Sequence, residues 1–458
     1  MDRFHIPVLL EGDLLSVTRR VRGVGPRAFL TCGEGQARGF WARGRRWVAH
    51  IGVLQETAVL PGDAAGDRFH AVWEALEGVR ARLSGEKARL YGGFSFRVDD
   101  QLDPVWNAFP PARFILPEAE LEGGRSDATA EELLLRVWVA PREGEGPDAA
   151  RARAETRLDE LAQAVESGGG GESGGPRAPE GLSLRTETDR AAWEAGVEGV
   201  LEAIAQGAVE KVVLARTLDV TPPFRVDPLE ILDQLRWANP MSHVFLFEPD
   251  PGACLLGAAP ETISTLRKGR FEATAVAGSV PRGETPEEQS FLARQLLGSR
   301  KDRAEHRYTV EEMVRRLAGR AHDVEAEEEP HVLTLSRIQH LETRVTARPR
   351  SGETVLSLLE ELHPTPAVCG LPRDAALVFL REVEPFQRGW YAGPVGWADT
   401  EGDGVFVPAL RTAVSREGVW RLFAGAGIVD GSDPGLEWEE TRIKFQPVLQ
   451  ALAASGAP

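Results

Sequence analysis

Apolar runs of strand length and segments with a three-to-four-residue apolar repeat follow one another irregularly along the chain. VLLEGDLLSVTRRV, RFILPEAELE and ELLLRVWVAP predict strands, whereas DRFHAVWEALEGVRARL and ARAETRLDELAQAV carry their apolar residues at helical spacing. Further on, Trp193, Val197, Val200, Leu201 and Ile204 mark one face of a helix, and the β-branched run KVVLAR, Lys211 to Arg216, predicts a buried strand. Asp227 then caps a helix with Pro228 at its first position and Asn239-Pro240 as its stop, before the strand HVFLFE. Thr285-Pro286-Glu287-Glu288 has the form of a capping box for a helix ending near Leu297, and a longer helix is expected over Arg303 to Leu317. Strands dominate from Gly389 to Gly427, and a last helix runs from about Pro434 to Leu452. The regular alternation of a doubly wound sheet is absent, so the expected class is α+β with large antiparallel sheets.

One stretch interrupts the pattern. SGGGGESGGPRAPEGL, residues 167–182, buries too little apolar surface to order itself and is expected to be a flexible connection. It separates 1–166 from 183–458. The acidic run AHDVEAEEEPH, residues 321–331, is expected to be a solvated loop, and ARGRRW around Arg45 to lie on the surface.

Composition excludes several classes of function. With 53 Lys+Arg against 70 Asp+Glu in 458 residues, the net charge is -17, and a nucleic-acid partner, which needs a basic face, is not expected. Any anionic small substrate then requires a locally built cationic site. Cys32, Cys254 and Cys369 form no Cys-x-x-Cys pair, so neither a disulfide framework nor a thiolate zinc site is indicated. No run of about 18 apolar residues occurs, and the start MDRFHIPVLLEGDLL lacks a signal-peptide pattern; the expectation is a cytoplasmic protein without a membrane partner. Phosphate-loop, zinc-protease and serine-hydrolase motifs are absent, and LFAGAGIVDG spaces its glycines wrongly for a dinucleotide fingerprint.

What remains is a set of charged residues in apolar or glycine-rich surroundings. Lys211 opens KVVLAR, where a strand-end lysine with its head in water is the plainer reading. Glu261, in LLGAAPETI, sits between apolar segments that would raise its pKa and suit it to proton donation; a solvated turn residue is the alternative. Glu305 lies in KDRAEHRYTVEEM. Glu437 and Glu440, three apart, share a helix face, and with a distant carboxylate would make the oxygen-rich set that Mg²⁺ prefers, although surface helices also carry such spacings. Arg411, amid the apolar FVPALRTAV, needs a partner anion, for which Tyr391 and the Gly425 to Gly427 amides are further donors.

Taken together, KVVLAR, LLGAAPET, AVAGSVPRG, KDRAEHRYTVEEM, QHLETRV, LHPTPAVCGLP, WYAGPVGW, PALRTAV and LFAGAGIVDGSDPGLEWEETRIK closely resemble, in order and context, the chorismate-utilising enzymes. This family comprises anthranilate, aminodeoxychorismate, salicylate and isochorismate synthases. The likeness spans about 190 to 450. It implies a single large domain, a two-layer antiparallel β-sandwich flanked by helices, which the residues before 185 complete. It also implies that Glu305 and Glu440 ligate Mg²⁺ with Glu437 beside them, that Gly425, Gly427 and Lys444 hold the ring carboxylate of chorismate, and that Tyr391 and Arg411 grip the enolpyruvyl carboxylate. His340 would line the ring.

In water-using members a lysine at the place of Lys211 is the general base, where ammonia-using members typically carry glutamine. VAGS, with Ala277, replaces the lysine-bearing block of the covalent aminodeoxychorismate route. The implied activity is therefore Mg²⁺-dependent, reversible conversion of chorismate to isochorismate: water deprotonated by Lys211 attacks C2 while Glu261 protonates the departing C4 hydroxyl. A salicylate-forming enzyme that goes on to eliminate pyruvate, and a non-catalytic chorismate-binding protein, are the competing expectations. The resemblance further implies a monomer without a glutaminase subunit, feeding either menaquinone or siderophore synthesis.

Overall fold

The strand His243–Asp250 shows why the chain stacks its sheets. Val244 and Leu246 pack with the helix Pro228–Ala238, while Phe245 and Phe247 point the opposite way, into a core shared with Trp390 and with Val395 and Val407 of the facing sheet. Both faces are buried, so the run is apolar throughout rather than alternating. This computed structural model describes residues 13–23, 25–62, 67–98, 103–124, 132–168, 182–186 and 188–455. Among them are two sheets, of twelve and ten strands, paired antiparallel throughout. Helices cover the outer faces, with one core between the sheets and a further core beneath the helices of each. The α+β sandwich expected from the sequence is the observed architecture.

Neither side of the glycine-rich stretch closes a sheet by itself. Arg38–Arg43 pairs with His243–Asp250 in the larger sheet, Trp41 opposite Phe245, and Arg89–Phe94 pairs with Pro394–Asp399 in the smaller. Of residues 167–182, 169–181 lie outside the described residues; Ser167 ends the helix Pro147–Ser167, and Leu182 precedes the short strand Ser183–Arg185. No helix of the described residues is long and apolar enough to cross a membrane.

Four expectations need correction. RFILPEAELE is two strands, Ala112–Leu116 and Ala119–Gly123, in different sheets, because Pro117 cannot donate to a ladder and the chain changes sheet there. The acidic run 321–331 is largely an edge strand, Ala321–Ala326, followed by a second, His331–Thr334, each paired with Ile338–Pro349, and its exposed charges shield the edge from further pairing. The helix expected from Arg303 begins at Arg300, since Ser299 Oγ accepts from Asp302 N at 3.2 Å and caps it earlier. At Thr285 the hydroxyl accepts from Glu288 N at 3.2 Å, but the returning Glu288 carboxylate takes Glu284 N rather than Thr285 N.

Candidate active site

The site forms where the chain crosses between the sheets. Glu261 lies in the link between Ala253–Ala259 of the larger sheet and Ser264–Arg267 of the smaller, and Arg411 in the link from Gly404–Pro408 back to Thr412–Arg416. These links are held rigidly: Ile263 N donates to Phe406 O at 3.0 Å, Ala258 N to Arg411 O at 3.2 Å, and Arg411 takes φ +50°, a turn conformation that costs a non-glycine residue energy.

One wall is the strand Lys211–Thr221, which pairs Val213 with Gly427 and Ala215 with Gly425. Val213 N donates outward to Cys369 O, and Ala215 N donates outward to Glu384. In an antiparallel strand a residue's N–H and C=O share one edge, so Val213 and Ala215 face away from their cross-strand partners. Gly425 and Gly427 then turn their own N–H and C=O to the far edge, where Thr412–Arg416 has paired only as far as Leu422. Lys444 Nζ donates to Gly425 O at 2.9 Å on that edge. The glycine amides thus point into open space, as a carboxylate pocket requires.

Lys211 is fully buried, with Nζ 2.9 Å from Glu305 Oε1, an ion pair off the hydrogen-bonding direction that leaves the ammonium without an aligned acceptor. Burial alone would raise the Glu305 carboxyl, but the Lys211 charge, with Lys444 and Lys301, outweighs it and holds Glu305 below the usual carboxylate value. On the helix Pro434–Ala454, Glu440 pairs with Lys444 at 2.5 Å, and Glu437 with Lys301 at 2.7 Å. Burial, then repulsion from Glu440, raises the Glu437 carboxyl.

Opposite stands Glu261, 2% exposed, its Oε1 without a hydrogen-bond partner. Burial pushes its pKa up to about 8, against the opposing pull of Lys211 and Lys444, so the carboxyl holds a proton at neutral pH. His340 Nε2 lies 3.1 Å from Arg411 Nη2, which can only donate, so the proton sits on Nδ1, facing Ser279 Oγ at 2.9 Å and Gly278 O at 3.3 Å. Burial, then the Arg411 charge, keeps this imidazole well below its usual pKa and therefore neutral. Arg411 itself is lowered by burial to about 10 and still charged at neutral pH, with no carboxylate at ion-pair distance among the described residues. Tyr391 stacks on Phe423, ring centroids 4.9 Å apart, and burial raises its phenol to about 12, leaving it a neutral donor.

These groups line a cleft of about 670 Å³, counting the space open to solvent at its mouth. Glu261, Glu305, His340, Tyr391, Arg411, Gly425, Gly427, Glu440 and Lys444 line it. Lys211 lies behind Glu305, and Glu437 is turned toward Lys301. Sequence reasoning missed Lys301, one helical turn before Glu305, and Ser279 and Gly278, which fix the His340 tautomer. The i, i+4 spacing from Lys301 to Glu305 was a usable signal for the first; the bulge between Ala277 and Ser279, with Gly278 at φ +75°, left none for the others.

A family model described as chorismate binding enzyme matches residues 10–453. The chain belongs to the chorismate-binding enzyme family. It is 36% identical over 370 residues to the salicylate biosynthesis isochorismate synthase of Pseudomonas aeruginosa, covering 80% of this chain and 75% of that protein. It is 30% identical over 462 residues to the isochorismate synthase MenF of Bacillus subtilis, covering 96% and 93%. The solved structure of the menaquinone-specific isochorismate synthase MenF of Escherichia coli shares its fold, with TM-score 0.78 and 24% identity over 98% of this chain and 96% of that one.

In the chorismate-binding enzyme a Cβ at Gly427 would lie 2.3 Å from Glu305 Oε1 and 3.0 Å from Lys211 Cε, so the Glu305 carboxylate would have to move to admit one. Gly427→Ala is expected to displace Glu305 and lower kcat/KM by about 100-fold, an effect of the size that small misplacements produce, measurable by steady-state kinetics on the folded variant.

Proposed function

We propose that this chorismate-binding enzyme is an isochorismate synthase that adds water at C2 of chorismate and expels the C4 hydroxyl, reversibly. The observation that carries this is the pairing of unlike groups about one cleft: a buried, protonated Glu261 with a free oxygen on its wall, and, behind Glu305, the buried amine of Lys211 without an aligned acceptor. A lysine in this place, rather than glutamine, supports water as the nucleophile, and relatives named isochorismate synthase at 30% and 36% identity support the substrate.

Each residue then has a task. The Gly425 and Gly427 amides and Lys444 hold the ring carboxylate, while Arg411, oriented by neutral His340, makes a charge-assisted bond with Tyr391 to the enolpyruvyl carboxylate. Lys211 takes the proton from water as its oxygen approaches C2. Glu261 delivers its proton to the C4 oxygen as that bond breaks, and the ring double bonds shift between the two carbons. A buried acid at Glu261 and a base at Lys211 exchange roles in the reverse direction.

The carboxylates Glu305, Glu437 and Glu440 fit a hard divalent cation in donor chemistry, all oxygen, and the repulsion between Glu437 and Glu440 is what such an ion offsets. Among the described residues no three His, Cys, Asp or Glu side chains converge on one point; each glutamate is answered by a lysine instead. Bound by Glu305 and Glu440 with Glu437 beside them, Mg²⁺ would supply positive charge to the ring carboxylate.

Product analysis tests the proposal: purified protein with chorismate and Mg²⁺, with EDTA and ammonium-supplemented samples in parallel. A mixture of chorismate and isochorismate, abolished by EDTA and indifferent to ammonium, is expected. Salicylate with pyruvate would assign the chain to salicylate formation, and an amine product would contradict the role of Lys211.

A further inference from the structure

The outer edge of the strand Lys211–Thr221 is occupied by an ion pair that no step above uses. From Val213 to Leu218 this edge has no partner strand among the described residues: Gly370–Leu371 pairs only with Lys211 and Val212, and Ser183–Arg185 only from Asp219. Glu384 and Arg388 fill the gap. Ala215 N donates to Glu384 Oε1 at 2.9 Å, and Arg388 Nη2 donates to Val213 O at 2.6 Å. The two side chains join through Arg388 Nε to Glu384 Oε2 at 2.8 Å and Nη2 to Oε1 at 2.5 Å. Arg388 Nη1 also donates to Val368 O at 2.8 Å, and its backbone carbonyl accepts from Tyr391 N at 2.8 Å. Val368 and Tyr391 both line the cleft.

We propose that Glu384 and Arg388 form a positioning pair for substrate binding. By occupying the outward-facing groups of Val213 and Ala215, the pair fixes which edge Gly427 and Gly425 present to the cleft, since these are the cross-strand partners. Through Val368 and Tyr391 it sets the spacing of two further walls. A planar guanidinium is required, because one group must meet two carbonyls and a carboxylate in different directions; an ammonium cannot. Stability alone does not account for it. Arg388 is 1% exposed and the Glu384 side chain is fully covered, and the desolvation of such a pair largely offsets its attraction. The inference rests on the proposed function for the identity of the ligand.

The test is steady-state kinetics of the double variant Glu384→Leu with Arg388→Met, since apolar replacement of a whole buried pair commonly preserves folding. KM for chorismate is expected to rise about tenfold while kcat changes by less than about threefold. A merely structural role would reduce the folded fraction, lowering apparent kcat and leaving KM alone. An unchanged KM in folded protein overturns the proposal. If the double variant does not fold, Glu384→Gln decides on the same readout, with a rise in KM expected and an unchanged KM contradicting. Should the wild type fail to turn chorismate over, the proposed function falls, and the pair is judged by calorimetry on the chorismate dissociation constant, expected to weaken about tenfold in the variant; equal affinities overturn it.

Discussion

Lys211→Gln is expected to lower kcat for isochorismate formation by about a thousandfold, the scale of a lost general base, with the fold retained. Glutamine is the sharper test than alanine. Lys211 faces Glu305 at 2.9 Å in a fully buried setting, and removing one partner of such a pair leaves an uncompensated charge. The glutamine amide still donates to Glu305 but cannot accept a proton from water, so it separates catalysis from support of the carboxylate. Lys211→Ala is expected to abolish turnover too, with a lower Tm, although Lys301 and Lys444 continue to offset Glu305. The measurement is kcat beside thermal unfolding. A near-normal kcat in either variant would remove Lys211 from the mechanism.

Glu261→Gln carries the second large effect, and it has opposite signs for activity and stability. Losing the general acid is expected to cost about 10² to 10⁴ in kcat. In the wild type the acid form is needed, so kcat should fall on the alkaline side as pH rises through about 8. The same carboxyl affects folding. Its native pKa of about 8 exceeds the ordinary 4.5, so the stability contributed by its bound proton is complete below the ordinary value and is lost as pH rises through about 8. A buried glutamine has no such proton to lose. The variant is therefore expected to be inactive yet to melt several degrees higher than wild type at pH 9, a trade of stability for function common at active sites. An equal or lower Tm at that pH would contradict the buried, unpartnered state of Glu261.

The candidate polar groups of the site were legible because their contexts are local. Lys211 at the head of a β-branched run and Arg411 amid apolar residues are anomalies within a few positions, and Glu437 and Glu440 share a helix face by spacing alone. The structure places Arg411 and Glu440 in one cleft with Glu261 and Glu305, while Lys211 lies behind Glu305 and Glu437 turns toward Lys301. What supports them was not legible. Arg388 meets Val213 and Val368 across long stretches of chain, contacts set by sheet order rather than by neighbours in sequence. The crossing at Pro117 was hidden for a similar reason: the strands on either side are equally apolar, and only their distant partners assign them to different sheets. Helices and antiparallel strands followed from periodicity and the sandwich from the family likeness; strand order followed from neither, because it depends on pairings such as Trp41 with Phe245.

The most direct test of the central claim, water activated at Lys211 and expulsion of the C4 hydroxyl by Glu261, is mass analysis of the product formed in water enriched in heavy oxygen. The account predicts isochorismate carrying one heavy oxygen at C2, with label appearing at C4 of recovered chorismate as the reaction reverses. Unlabelled isochorismate would mean that the hydroxyl migrates within the substrate, and would contradict the assignment of these two residues.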